Sequence, residues 1–115
     1  MKILILGADG YLGWSMAASL SEDNHELILV DNYSKRKYMK ELKRSPLCKM
    51  PLVTTRLKIL KRLNKNISFY EIDCMSYKKM KSIIKKHKPD AIIHFAELPS
   101  APFSMLNNKY GWDTL

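Results

Sequence analysis

The chain has 115 residues, 46% of them apolar, with 20 Lys/Arg against 11 Asp/Glu for a net charge of +9. That length supports one hydrophobic core with little room for a second, and the apolar share is that of an ordinary globular domain. The apolar run ahead of Gly7 is too short for a signal core or a membrane span, and Cys48 and Cys74 sit at no disulfide or metal-ligand spacing, which points to the cytoplasm and away from a membrane partner. The first element is the apolar run 2–6, read as a buried strand. It runs into Gly7-Ala8-Asp9-Gly10-Tyr11-Leu12-Gly13, a turn that opens a helix over 11–21. Leu12, Met16 and Leu20 are expected on the inner side of that helix, with small Ala17 and Ala18 for close packing. A second apolar run, 27–31, ends in Asp31. Strand, glycine turn, helix, strand and acid in this register point to a dinucleotide site. Gly7 and Gly10 let backbone approach a pyrophosphate, which meets the positive end of the helix. Gly13 brings helix and strand together, and Asp31 accepts hydrogen bonds from a ribose diol. A carboxylate there repels a 2′-phosphate, so NAD is expected over NADP.

A long basic insertion follows, about 33–66. Residues 35–66 hold twelve Lys/Arg against the single acid Glu41, a net +11, so the rest of the chain is −2. Pro46 and Pro51 bracket a break between two helices. The second helix shows Val53, Leu57 and Leu60 at core spacing, with Arg56, Lys58, Lys61 and Arg62 expected outward. Lys35 and Arg36 are likewise expected to face solvent. A hydrated helical face, an anionic small molecule or protein, and nucleic acid compete as explanations of this charge. Nucleic acid is the weakest, because the segment has no base-stacking aromatic beyond Tyr38 and no reader motif. The run 68–72 is read as a third strand. Ser76 then caps a helix whose inner face carries Met80, Ile83, Ile84 and His87, and Pro89 stops it. The run 91–95 is the fourth strand, and from Glu97 onward a loop leads into a further helix. Continuous rather than alternating apolarity in the strands implies an α/β, doubly wound parallel sheet covered on both faces. Right-handed crossovers give strand order 3-2-1-4, with the cofactor across the first and fourth strands, where the Gly7–Gly13 turn meets His94–Glu97.

With the nucleotide site placed, three stretches carry a family resemblance: Asp9 to Trp14, Val30-Asp31-Asn32 with Lys35-Arg36, and His94-Phe95-Ala96-Glu97 with the run 100–105. The chain resembles the Rossmann-like extended short-chain dehydrogenase/reductases, which include the NAD-dependent sugar-nucleotide epimerases and dehydratases. Within them it most resembles the UDP-sulfoquinovose synthase family, whose enlarged second crossover is similar to the insertion here. The resemblance implies that Gly7, Gly10, Tyr11 and Leu12 line the pyrophosphate and that Asp31 and Asn32 hold the adenosine ribose. It also implies that Asp73 and the Cys74 backbone meet the adenine, while Phe95, Ala96 and Glu97 run toward the nicotinamide. Plainer readings stand beside these: Asp73 capping local N–H groups, Tyr11 covering the first helical turn, and His94 as a packed strand residue. For a whole enzyme the resemblance implies a nucleotide-sugar substrate, UDP-glucose, handled with sulfite by a homodimer. Leu98 and Pro99 depart from that family, which has a polar and then a basic residue there, and favour a plain UDP-sugar epimerase or dehydratase. The basic segment favours a non-catalytic nucleotide-sensing or nucleic-acid-binding module.

The family's catalytic Tyr-x-x-x-Lys pair follows a fifth strand. Two such spacings occur here, Tyr33 with Lys37 and Tyr77 with Lys81. Both follow strands on the adenosine side, away from the nicotinamide, so neither is expected to be catalytic. Residues 1–115 are thus read as the N-terminal cofactor-binding portion, a truncated product or a piece of a longer enzyme, inactive without its catalytic helix and sugar-binding region.

Overall fold

Continuous apolarity in the strands has a direct cause in the computed structural model, which describes residues 1–97: both faces of the sheet are covered. Four parallel strands, β1 (Lys2–Leu6), β2 (Glu26–Asp31), β3 (Ile67–Glu71) and β4 (Ala91–His94), lie in the order β3-β2-β1-β4, as expected from the alternation. Successive side chains of a strand point to opposite faces. Ile3 and Ile5 join Leu27 and Leu29 on one face, packed against Ala17 of α1 (Tyr11–Glu22) and Leu60 of α3 (Val53–Leu63). Leu4 and Leu6 join Ile28 and Val30 on the other, covered by Met80 and Ile83 of α4 (Tyr77–His87). Leu4, Ile5, Leu27 and Ile28 are fully buried, and each contributes about 1.5–3 kcal/mol relative to exposure. β1 is central, and the backbone of its first residue is tied to the far end of the described chain: Lys2 N–H donates to the Asp90 carboxylate (2.7 Å) and Asp90 N–H to the Lys2 carbonyl (2.8 Å).

The helices differ from the sequence reading at several points. In α1 the buried row is Gly13, Ala17 and Ser21, and Leu12 is exposed. Helix and sheet approach too closely for a leucine at the contact, so small residues occupy it and Met16 and Leu20 pack at its flanks. In α4, Ile84 is exposed, one position past the contact row made by Met80 and Ile83. Ser76 occupies the N-cap position without a side-chain bond; the Asp73 carboxylate instead accepts from Met75 N–H at 3.0 Å. The insertion forms α2 (Ser34–Glu41) and α3 on either side of the proline-bracketed break. Leu60 belongs to the main core, so α3 is structural as well as peripheral. Asn64 secures its end, donating to the His25 carbonyl at 2.6 Å and accepting from Asn66 N–H at 2.8 Å. Leu98, Pro99, the run 100–105 and the helix expected beyond Glu97 lie outside the described residues.

Among the described residues β4 pairs only with β1, and Ile92 on it is 52% exposed. An apolar strand with a free edge templates pairing with other chains. Residues 1–115 taken alone are therefore expected to be marginally stable and to self-associate, with NAD stabilising them only weakly. Ile92→Lys should reduce the self-association, as read by sedimentation velocity. A wild-type segment that stays monomeric across the micromolar range would contradict the expectation.

Candidate functional site

The site is built on the turn between β1 and α1. Gly7 takes the left-handed region, φ +80°, and a Cβ there would lie 2.6 Å from the Phe95 carbonyl and 2.7 Å from Ala96 N. Its constraint thus comes from the chain leaving β4, beyond the approach to a pyrophosphate expected from sequence. A Cβ on Gly13 would lie 2.1 Å from the Gly7 carbonyl oxygen, so glycine is what lets α1 sit on the turn. Gly7 N–H and Ala8 N–H both donate to the Val30 carbonyl, at 2.9 and 3.1 Å, which fixes the turn to the tip of β2. Helical bonding begins with Trp14 N–H to Gly10 carbonyl at 2.9 Å. The N–H groups of Tyr11 and Leu12 therefore precede the ladder, Gly10 offers no side-chain cap, and the first turn carries no acid. Those are the features of a helix end that receives an anion. Tyr11, 79% exposed, and Leu12 stand at its mouth.

Asp31 lies beside this turn, half-buried. One of its carboxylate oxygens accepts from Asp9 N–H at 2.8 Å and the other from Tyr33 N–H at 2.7 Å. Each oxygen keeps a second lone pair for a diol. Burial pushes the Asp31 carboxyl above its ordinary value, against the pull of these two bonds. A raised folded-state value means that the folded chain holds this proton more tightly, so Asp31 costs stability as pH rises through the window above the ordinary carboxylate value. Ribose recognition needs the ionised form. NAD affinity is expected to fall on acidification at a higher pH than for a free aspartate, about 3.9, and to be pH-independent there in Asp31→Asn; titration calorimetry across weakly acidic pH checks this. Asn32 turns its side-chain oxygen to Ser34 N–H at 2.9 Å, at the start of α2.

β3 delivers Asp73 and Cys74 to the same end of the sheet, with Ile72 N–H bonded to the Asp31 carbonyl at 3.1 Å. Burial, then the Asp73 charge, with Glu97 and Asp31 adding, push the Cys74 thiol up. Phe95 N–H continues the β4 pairing by donating to the Leu6 carbonyl at 2.8 Å, and Phe95 and Ala96 pack against opposite cores. His94, expected to be packed, is instead half-exposed, with its ring 3.2 Å from the Glu97 carboxylate. The structure thus gathers Gly7, Gly10, Tyr11, Leu12, Asp31, Asn32, Asp73, Cys74, Phe95, Ala96 and Glu97 at the carboxyl ends of the strands.

The two tyrosines of the Tyr-x-x-x-Lys spacings lie in different surroundings. The Tyr33 phenol stacks on Phe69 at 5.8 Å and is pushed up to about 12, by burial first and then by the charges of Glu71, Asp9 and Asp31. A catalytic base requires the opposite shift. Tyr77 is exposed, with the Lys81 ammonium 5.2 Å from its ring.

Sequence reasoning missed Asp9. Its side chain is 7% exposed and accepts from Arg36 Nη2 and Arg56 Nη1, each at 2.9 Å, and from Arg36 Nε. Arg36 also reaches the Pro51 carbonyl at 3.0 Å, and Arg56 the Asp9 carbonyl at 2.9 Å while lying 4.9 Å over the Trp14 ring. Both arginines, expected in solvent, are therefore turned inward, because a buried carboxylate at the turn requires compensation. The signal available in sequence was the spacing of Arg56, four residues before the buried Leu60 on the same helical face. Beside the cluster opens a cleft of about 310 Å³, and beyond it one of about 690 Å³ against the α2–α3 connection.

The sequence profile of the NAD dependent epimerase/dehydratase family matches residues 3–114. A UDP-sulfoquinovose synthase of Sulfolobus acidocaldarius is 42% identical over 93% of this chain, which spans 28% of that protein. The chloroplastic UDP-sulfoquinovose synthase of Spinacia oleracea is 30% identical over 94% of this chain, which spans 23% of that protein. A UDP-glucose 4-epimerase from Stenotrophomonas maltophila, solved with bound NAD, superposes with a TM-score of 0.71 at 23% identity over 99% of this chain and 30% of its own, and so shares the fold. None of the described helices is long and apolar enough to cross a membrane.

Proposed function

The chain belongs to the NAD dependent epimerase/dehydratase family, and from that membership we propose that residues 1–115 are the NAD-binding front portion of a sugar-nucleotide enzyme of the UDP-sulfoquinovose synthase type. The observation that carries this is the convergence of the glycine turn, Asp31 and the Phe95–Ala96 backbone on one end of the sheet. The donor set fits NAD: N–H groups of Tyr11 and Leu12 at a helix start for the pyrophosphate, and a carboxylate with spare lone pairs for the ribose. When bound, NAD supplies a two-electron acceptor for the hydride on C4 of the hexose. The residues of this segment bind and orient it. Tyr11 and Leu12 cover the pyrophosphate, Asp31 and Asn32 hold the adenosine ribose, Asp73 and Cys74 border the adenine, and Phe95, Ala96 and Glu97 lead toward the nicotinamide. The proton-transferring tyrosine and the sugar-binding region belong to the remainder of the enzyme, so residues 1–115 by themselves are expected to bind without turnover. The enzyme is proposed to be a cytosolic homodimer.

The substrates proposed are UDP-glucose and sulfite, with the C4 hydride removed, water eliminated, sulfite added and the hydride returned to C4, so that a hydroxyl is exchanged for a sulfonate without net oxidation. A second reading, a plain UDP-sugar epimerase or dehydratase, is favoured by Leu98 and Pro99, which put no cation at the two positions directly after Glu97. Incubating the full-length protein with UDP-glucose and NAD, with and without sulfite, separates them. A sulfonated nucleotide sugar formed only with sulfite is the expected result. UDP-galactose or a dehydrated sugar irrespective of sulfite would establish the second reading, and the absence of any sugar conversion would overturn both.

A further inference from the structure

Two guanidiniums converge on one carboxylate beside the acid that faces the cofactor ribose. Asp9 is bonded through its side chain to Arg36 and Arg56 and through its N–H to the Asp31 carboxylate, so the four charges form one contiguous, neutral group. Asp9, Arg36 and Arg56 border the 310 Å³ cleft together with Tyr11, and with Lys35 and Lys49 exposed at its rim. Arginine is the side chain best suited to a phosphate, which it grips with paired N–H donors, whereas an exposed lysine remains a hydrated point charge. Here Arg36 Nε and Nη2 and Arg56 Nη1 donate to the Asp9 carboxylate, the Asp9 carbonyl and the Pro51 carbonyl, while the buried Arg56 Nε has no partner among the described residues. A 2′-phosphate arriving at Asp31 would meet a carboxylate and two guanidiniums already paired with Asp9.

We propose that Asp9 sets the preference for NAD over NADP, by holding Arg36 and Arg56 in ion pairs that would otherwise receive a 2′-phosphate. Asp31 supplies the repulsion, and Asp9 withholds the attraction. This rests on the reading that the turn and Asp31 hold NAD. It also accounts for a strongly basic segment lying against an adenosine site without drawing in the more anionic cofactor.

The test is calorimetric titration of the full-length protein with NAD and with NADP, for the wild type, Asp9→Asn and Asp9→Asn/Arg36→Gln. Neutralising Asp9 frees guanidinium donors while leaving the Asp9 N–H to Asp31. The NADP-to-NAD affinity ratio is expected to rise about tenfold or more, equivalent to about 1.4 kcal/mol, with NADP binding becoming steeply salt-dependent. Adding Arg36→Gln should take most of that gain away. A structural role alone would weaken both cofactors in parallel, and an unmoved ratio in a variant that still binds NAD overturns the proposal. If Asp9→Asn does not fold, Asp9→Ser, also neutral, carries the same comparison. A wild type that binds neither cofactor would overturn the NAD reading and this proposal with it, a result distinct from NAD binding with an unmoved ratio.

Discussion

Replacing Gly13 with alanine is expected to destabilise the protein by at least about 3 kcal/mol and to abolish NAD binding. The added methyl would sit 2.1 Å from the Gly7 carbonyl oxygen, 2.8 Å from the Gly7 carbonyl carbon and 2.9 Å from the Ala8 Cα, all of them backbone atoms. No side-chain rotation relieves such contacts, so either α1 lifts off the sheet or the turn is displaced. Ordinary overpacking of a core costs about 1–3 kcal/mol, and an obstruction by fixed backbone exceeds that range. Moving α1 also removes its first-turn N–H groups from the anion, so the effect on binding is larger than the loss of stability alone. Gly10→Ala is the control. Its Cβ would meet a single atom, the Gly7 carbonyl oxygen, at 3.2 Å, and a cost of about 1 kcal/mol follows from the preference for Gly over Ala at an N-cap. Denaturant unfolding of the two variants reads the difference directly. A Gly13→Ala protein within about 1 kcal/mol of wild type would show that the turn is more compliant than its geometry.

Removal of the Asp31 carboxylate carries the second large effect. Asp31→Ala is expected to weaken NAD binding about 100-fold or more, since hydrogen bonds to a charged group contribute about 1.5–3 kcal/mol each and a diol makes two. The substitution also leaves Asp9 N–H and Tyr33 N–H without their acceptors, so the glycine turn and the start of α2 both loosen. Asp31→Asn keeps an oxygen for one of these donors and should fold better than Asp31→Ala while still losing most of the affinity. Comparing melting temperatures with NAD dissociation constants for the pair separates the two roles. An Asp31→Ala protein that binds NAD as the wild type does would remove Asp31 from the site.

The sheet was legible in the sequence because its determinants are local. Runs such as Leu27 to Asp31 announce a strand covered on both faces, and the alternation with helical patterns dictates the order β3-β2-β1-β4. The glycine turn and Asp31 were legible for the same reason, since a backbone conformation demands particular residues at particular spacings. The Asp9 cluster was not. Its arginines come from positions 27 and 47 residues away, and no periodicity links a carboxylate in one turn to cations in another crossover. Rules that send charge to the surface place Arg56 outward, although it shares a face with the buried Leu60. Leu12 failed from the opposite side: its hydrophobicity suggested the core, whereas the contact row belongs to Gly13, Ala17 and Ser21. In each case tertiary proximity overrode the intrinsic preference of the residue.

The reciprocal hydrogen bonds between Lys2 and Asp90 join residues 88 positions apart, and this has a consequence for biosynthesis. β1 is made first but occupies the middle of the sheet, so its β4-facing edge has no partner until residues near Asp90 leave the ribosome. At about 5–20 residues per second, the wait is about 4–18 s, longer than the sub-second collapse of a small chain. Throughout it the nascent protein displays Ile3-Leu4-Ile5-Leu6 with one row of backbone donors and acceptors unclaimed. The rate of elongation, and the supply of chaperones that shield extended apolar segments during that interval, should therefore govern the yield of soluble protein more strongly than the equilibrium stability of the finished fold.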